Sequence, residues 1–190
     1  MYRWVVLGPA VMRALVEGRL EEASVLAGAV GVPVPLTDYL VGEAWLWRIR
    51  LEQVAADPGA QGWVARVAWC QDGPDAGRVV GHLGFHGPPD EDGRVEVAYS
   101  VDPAHRRRGH ARAMLAQVLA EVDLMPEVTV VRASISPDNA GSLATIRGLG
   151  FDKVGEQWDE DDGLEELWER PSPAPSVPTP ATMSPWGRSR

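Results

Sequence analysis

Residues 94–115 read Arg-Val-Glu-Val-Ala-Tyr-Ser-Val-Asp-Pro-Ala-His-Arg-Arg-Arg-Gly-His-Ala-Arg-Ala-Met-Leu, and two hydrophobic periods meet within them. Val95, Val97, Tyr99 and Val101 alternate with Glu96, Ala98 and Ser100, which predicts a strand. Asp102-Pro103 ends it, because proline brings no amide hydrogen to a ladder. From Gly109 onward, Ala111, Met114, Leu115, Val118, Leu119 and Val122 recur at helical spacing and predict one buried stripe. Between strand and helix lies Arg106-Arg107-Arg108-Gly109-His110-Ala111. A helix N-terminus presents unpaired amides at its positive dipole end. Gly109 permits close backbone approach, Ala111 leaves the first turn bare, and three arginines add fixed charge. Together these features fit a polyanion such as a pyrophosphate.

Toward the N-terminus, Gly87–Gly93 with Pro88-Pro89 is a loop into the central strand. Trp63–Cys70 and Val79–Phe85 flank the turn signals Asp72-Gly73-Pro74 and predict a hairpin. His82 and His86 read as structural, since no further ligands stand near enough to suggest a metal. Thr37 can cap a helix from about Asp38 to Ala56, with Leu40, Ala44, Trp47 and Leu51 on one face. Trp45 and Trp47 are assigned to the core by size, with an interface or an acceptor-site wall as the other placements. Val11–Ala27 reads as helix interrupted near Gly18, and Tyr2–Leu7 as a first strand.

Toward the C-terminus, β-branched residues over Val128–Ile135 predict a buried strand, parallel to its predecessor because a helix joins them. Asp138 or Asn139 can cap a helix that runs to about Leu149 and ends at Gly150. Phe151–Trp158 and Leu164–Glu169 form a last hairpin around the acidic tip Asp159–Asp162. Residues 1–170 are therefore read as one domain. Residues 171–190 are rich in Pro, Ser and Thr without an apolar period, and are expected to be a disordered tail.

A chain of 190 residues can bury a proper core. Its 27 acidic against 18 basic side chains argue against nucleic acid as a partner and fit a cationic or amine-bearing substrate better. Cys70 is the single cysteine, which points to a reducing, cytoplasmic compartment. No run is apolar enough to suggest a membrane span. Arginine dominates over the sole lysine, Lys153, as in a GC-rich bacterial genome.

Arg106-x-x-Gly109-x-Ala111 resembles the (Gln/Arg)-x-x-Gly-x-(Gly/Ala) signature of the GNAT N-acetyltransferase superfamily. Asn139-x-x-Ser142, a helix and then Leu149-Gly150-Phe151 resemble its second signature. With Glu96-Val97-Ala98-Tyr99 leading the central strand, the chain looks most like the branch of ribosomal-protein N-terminal acetyltransferases. The resemblance covers about residues 60–170. It implies an α/β (α+β) fold, with a mixed, mostly antiparallel sheet of about seven strands splayed at its centre and about four helices. It also implies acetyl-CoA as cosubstrate, no metal, and direct transfer to a primary amine, either a peptide N-terminus or a small molecule.

By that resemblance the main chain of Tyr99, Ser100 and Val101 pairs with the pantetheine arm. Arg106, Arg107, Arg108, Gly109, His110 and Ala111 hold the phosphates, and Asn139 and Ser142 complete the coenzyme site. For chemistry, Glu96 is the candidate base for the ammonium proton, and Ser142 a candidate donor to the leaving sulfur. Many members carry a tyrosine five residues before the Phe of Gly-Phe; here that position is Ile146. A domain that binds CoA without turnover is therefore the alternative. Nucleic acid and membrane are not expected as partners, and a homodimer stays open.

Overall fold

The protein is described by a computed structural model covering residues 1–28 and 33–172. Its elements run β1 (Tyr2–Val6), α1 (Pro9–Val16), α2 (Leu20–Ala27), α3 (Asp38–Gly42), α4 (Ala44–Ala56), α5 (Gln61–Val64), β2 (Arg66–Cys70), β3 (Val79–Phe85), β4 (Arg94–Val101), α6 (His110–Val122), β5 (Val130–Ile135), α7 (Ala140–Ile146), β6 (Asp152–Asp159) and β7 (Gly163–Pro171). Short 3-10 turns at Pro58–Ala60 and Pro103–His105 lead into α5 and away from β4. The seven strands form one sheet in the order β1-β2-β3-β4-β5-β7-β6. All neighbours are antiparallel except β4 and β5, which are parallel and joined by α6 as predicted. None of the helices is long and apolar enough to cross a membrane among the described residues.

Two hydrophobic clusters sandwich this sheet. One places Met114, Leu115, Val118 and Val122 of α6 against Leu83, Phe85, Val95 and Val131. The other places Met12 and Leu15 of α1 with Leu40 and Trp47 against Val67 and Val79. Covered on both sides, β3 is buried along its whole length, which explains its near-continuous apolar sequence.

The helices are shorter and more numerous than the sequence predicts. The helix read over 38–56 is two, with the break at Glu43 after the weak helix former Gly42. Across that break the Trp47 indole donates to the Leu40 carbonyl at 2.6 Å. The strand expected from Trp63 begins only at Arg66, because residues 61–64 form the turn of α5. That turn lies directly on β3: a Cβ on Gly84 would stand 2.6 Å from the Val64 carbonyl oxygen. Gly84→Ala is therefore expected to cost about 1–3 kcal/mol of stability through overpacking, read as a lower midpoint in urea unfolding. The last helix stops at Ile146 rather than near Leu149. Gly148 and Gly150 have φ of 73° and 85°, and the Arg112 guanidinium takes the Thr145 and Arg147 carbonyls at 3.1 and 2.6 Å. At the C-terminus, β7 includes Pro171, and Ser172 is buried with its hydroxyl donating to Asp123 at 2.8 Å. The rest of the expected tail, residues 173–190, lies outside the described residues.

The pairing of β4 with β5 creates the opening that matters. Only Arg94, Val95 and Glu96 pair, with Val130, Val131 and Arg132. Beyond them β4 stays on β3 from Val97 to Val101, whereas β5 stays on β7 from Ala133 to Ile135. The sheet therefore splays at its centre.

Candidate active site

Main-chain groups line the splay first. Backbone N–H of His86 donates to the Glu96 carbonyl, and that of Asp102 to the Val80 carbonyl. In an antiparallel pair alternate residues bond to the same neighbour. Even-numbered residues of β4 are thus committed to β3, and Val97, Tyr99 and Val101 turn their main chain to the open edge. The Val101 carbonyl there accepts from Arg106 Nε at 2.9 Å. Ser100 belongs to the committed set, and its hydroxyl oxygen accepts from Tyr39 at 2.5 Å.

A cavity of about 600 Å³ opens beside this edge, between β4, the first turn of α6 and α7. Gly109 is the N-cap of α6 with φ of 84°, and nothing lies within 4 Å of where its Cβ would be. Arg107 also has a positive φ, 62°, a conformation that costs a non-glycine residue about 1–2 kcal/mol. Two left-handed residues in three turn this loop sharply at the mouth of the helix. Arg106, Arg107, Gly109, His110 and Ala111 border the cavity, as does Arg112, which lies beyond the Arg106–Ala111 motif.

Two of the expected ligand side chains are engaged elsewhere. Arg108 does not border the cavity; its guanidinium donates to Asp75 Oδ1 at 2.8 Å. His110 is buried, with Nδ1 2.8 Å from the Tyr2 hydroxyl and Nε2 2.9 Å from Asp75 Oδ2. Burial pushes the Tyr2 phenol up to about 12, with the charge of Asp75 among the smaller causes, so it keeps its proton. His105 Nδ1 lies 3.0 Å from Asp75 Oδ1. The His110 hydrogen bond, ahead of Arg108 and His105, holds the Asp75 carboxyl down at about 2. Asp75, His105 and His110 bring potential ligand atoms within 4.8 Å of one another. With an arginine cation on the same carboxylate, the group is a hydrogen-bonded network.

A second cavity of about 370 Å³ lies on the β5 and β6 side of the splay. Glu96 borders it, and His86 Nδ1 stands 3.8 Å from the Glu96 carboxylate. Asp159, Asp162, Glu165 and Trp45 also line it. Trp45 is 58% exposed, while Trp47 is 1% exposed and in the core. Asp159 Oδ1 accepts from the amides of Asp161 and Asp162 at 2.8 and 2.9 Å, which lowers its pKa. The acidic tip is thus partly a self-capped turn. His82, by contrast with His86, is buried against Trp47 and Tyr39 as a structural residue.

The two cavities share Tyr99, Asn139 and Ser142. Asn139 is the cap of α7: its side-chain oxygen accepts from the Ser142 amide at 3.0 Å. Ser142 is therefore not the capping group, and its hydroxyl stands at the junction. Burial raises the Tyr99 phenol above its ordinary range, opposed by the nearby Ser142 and Thr145. Its oxygen is buried without completing a hydrogen bond. Ile146 is only 3% exposed and packs into the core, so it presents nothing to the junction.

Residues 21–152 match the family described as the acetyltransferase (GNAT) domain. The chain is 36% identical over 85 residues to the uncharacterized N-acetyltransferase YjdG of Bacillus subtilis, covering 44% of this chain and 50% of that protein. It is 38% identical over 87 residues to the mycothiol acetyltransferase of Clavibacter michiganensis, covering 44% of this chain and 27% of the other. The chain thus spans about half the length of YjdG, and less of the second relative. Among solved structures, an aminoglycoside acetyltransferase AAC(6')-Ib in complex with coenzyme A matches with a TM-score of 0.59 at 14% identity, over 90% of this chain and 95% of that one. A chimera of the spermidine N-acetyltransferase SpeG from Vibrio cholerae and hSSAT matches with a TM-score of 0.60 at 11% identity, over the same shares. These structural likenesses show the fold. The ribosomal-protein branch suggested by the motifs gains no support from these relatives.

Proposed function

The chain belongs to the acetyltransferase (GNAT) domain family, and from that premise we propose that it transfers the acetyl group of acetyl-CoA directly to the primary amine of a small cationic acceptor. One observation carries the reading: two cavities on either side of the splay meet at Tyr99, Asn139 and Ser142. A thioester lying in one can then meet an amine lying in the other. The larger cavity fits a coenzyme on its own features, namely a free strand edge, a bare helix N-terminus behind Gly109, and the cations Arg107 and Arg112.

In this reading Tyr99 and Val101 offer main-chain groups to the pantetheine amides, and the loop 106–111 takes the diphosphate. Coenzyme A supplies the acyl thioester. Glu96 takes a proton from the acceptor ammonium, directly or through water, so that the neutral nitrogen can attack the thioester carbon. The carbon–sulfur bond breaks as the carbon–nitrogen bond forms, and the second proton lost by the nitrogen passes, directly or through water, to the departing thiolate, leaving an amide and the free thiol of CoA. Ser142 donates a hydrogen bond to the departing sulfur, and Asn139 holds the turn that places it. Glu96, Asp162 and Glu165 make the second cavity attractive to a cation, and Trp45 adds an aromatic wall. Aminoglycoside and spermidine enzymes share this fold, and acceptors of that kind suit these carboxylates better than a bulky protein would.

Acetyl-CoA should raise the melting temperature, while ATP and NAD should not. At a hundredfold excess over the dissociation constant the gain is about 2.7 kcal/mol. No shift at millimolar acetyl-CoA would remove the assignment. The core placement of Ile146 favours a second reading, a domain that binds the coenzyme without turnover. Release of free thiol from acetyl-CoA with a panel of polyamines and amino sugars separates the two.

A further inference from the structure

We infer that Asp75, in the loop between β2 and β3, is the positioning residue that holds the phosphate loop in its binding shape; this rests on the acetyl-CoA reading above. One buried carboxylate, 4% exposed, accepts from three donors spread along the loop. His105 and Arg108 share Oδ1 at 3.0 and 2.8 Å, and His110 takes Oδ2 at 2.9 Å. Chain between His105 and His110 therefore has to wrap around Asp75, and Arg106, Arg107 and Gly109 of that wrap border the cavity. The wrap contains both left-handed residues, Arg107 and Gly109. Such a backbone persists only where its surroundings over-determine it, and Asp75 supplies that determination from thirty or more residues away.

Asp75 is itself fixed. Its turn is closed by hydrogen bonds from Ala76 to the Gly73 carbonyl, from Gly77 to that of Cys70, and from Arg78 to that of Asp75. Tyr2 of β1 braces the far side of the His110 ring. The two ring nitrogens of His110 thus each have a partner, Nδ1 the Tyr2 hydroxyl and Nε2 the Asp75 carboxylate. Asp75 also pairs with Arg108, which does not border the cavity, whereas Arg106, Arg107 and Arg112 do.

Asp75→Asn preserves shape but offers one acceptor and one donor where three donors converge. Buried donors left without partners should release the loop. Titration calorimetry with acetyl-CoA should show an affinity at least about tenfold weaker, as expected for losing a charge-assisted hydrogen bond. KM for acetyl-CoA should rise with it, while kcat at saturating acetyl-CoA stays within about twofold of wild type. A general loss of structure would lower kcat through the active fraction instead. Should Asp75→Asn not fold, His105→Phe removes one donor, keeps a ring, and should give the same split at smaller size. Wild-type affinity in the folded variant, or a fall in kcat with unchanged affinity, overturns the proposal and leaves the acetyl-CoA reading standing. Absence of binding by the wild type overturns both. Binding that is lost with EDTA and restored by zinc would make the cluster a metal site and would also overturn the proposal.

Discussion

Gly109→Glu is expected to abolish acetyl-CoA binding, with a loss of at least about 100-fold in affinity, equivalent to about 2.7 kcal/mol. Two effects act together. With φ of 84° at Gly109, any side chain meets backbone strain, at about 1–2 kcal/mol. Open space around the missing Cβ means that the side chain would enter the cavity. A carboxylate there would sit where the helix amides point, opposing an anionic ligand. Gly109→Ala separates the terms, because alanine carries the strain without the charge or length. Both variants should lose comparable stability in urea, yet only the glutamate should lose the coenzyme. Calorimetry on the pair checks this. Retained binding in Gly109→Glu would mean that the diphosphate lies elsewhere.

The parts of this fold that sequence made legible are those where a period changes over a few residues. β4, the Asp-Pro stop and α6 announce themselves that way, and so does the parallel placement of β5, since a helix must carry the chain back. Breaks made by tertiary packing were not legible. Nothing local says that Glu43 interrupts a helix, or that residues 61–64 coil onto Gly84 instead of extending. Trp45 and Trp47 could have been separated, since residues two apart on a helix do not share a face. One is core, and the other borders the second cavity.

Within the site the same rule holds. The loop 106–111 and the Asn139–Ser142 turn carry their chemistry in consecutive residues, and both border the larger cavity. Asp75 carries none in its neighbours, and its importance comes from contacts with residues thirty or more positions away. His86 faces Glu96 across the end of β3, a pairing that needs the strand register. The triple arginine shows the converse error. Composition makes all three look like phosphate ligands, yet the acid that claims Arg108 is invisible until the hairpin folds back.

Glu96→Gln should leave acetyl-CoA affinity nearly unchanged and should lower kcat by about 10²- to 10⁴-fold near pH 7, the usual worth of a general base. Glu96 borders the second cavity and not the first, so the change leaves the lining of the first intact. Glutamine keeps shape and volume while removing the basic oxygen. An acceptor amine is an ammonium at pH 7, and its proton must go somewhere before nitrogen can attack. As pH rises toward the pKa of the amine, about 10 for a lysine-like group, the neutral fraction grows and the need for a base falls. The deficit should therefore be largest at neutral pH and shrink at high pH. His86, 3.8 Å from the carboxylate, gives the test a second arm. If Glu96→Gln turns over at the wild-type rate while His86→Gln does not, the proton leaves through the imidazole. If both variants keep the wild-type rate, solvent takes the proton, and the splay works mainly by holding thioester and amine together, a contribution that can by itself reach about 7–11 kcal/mol.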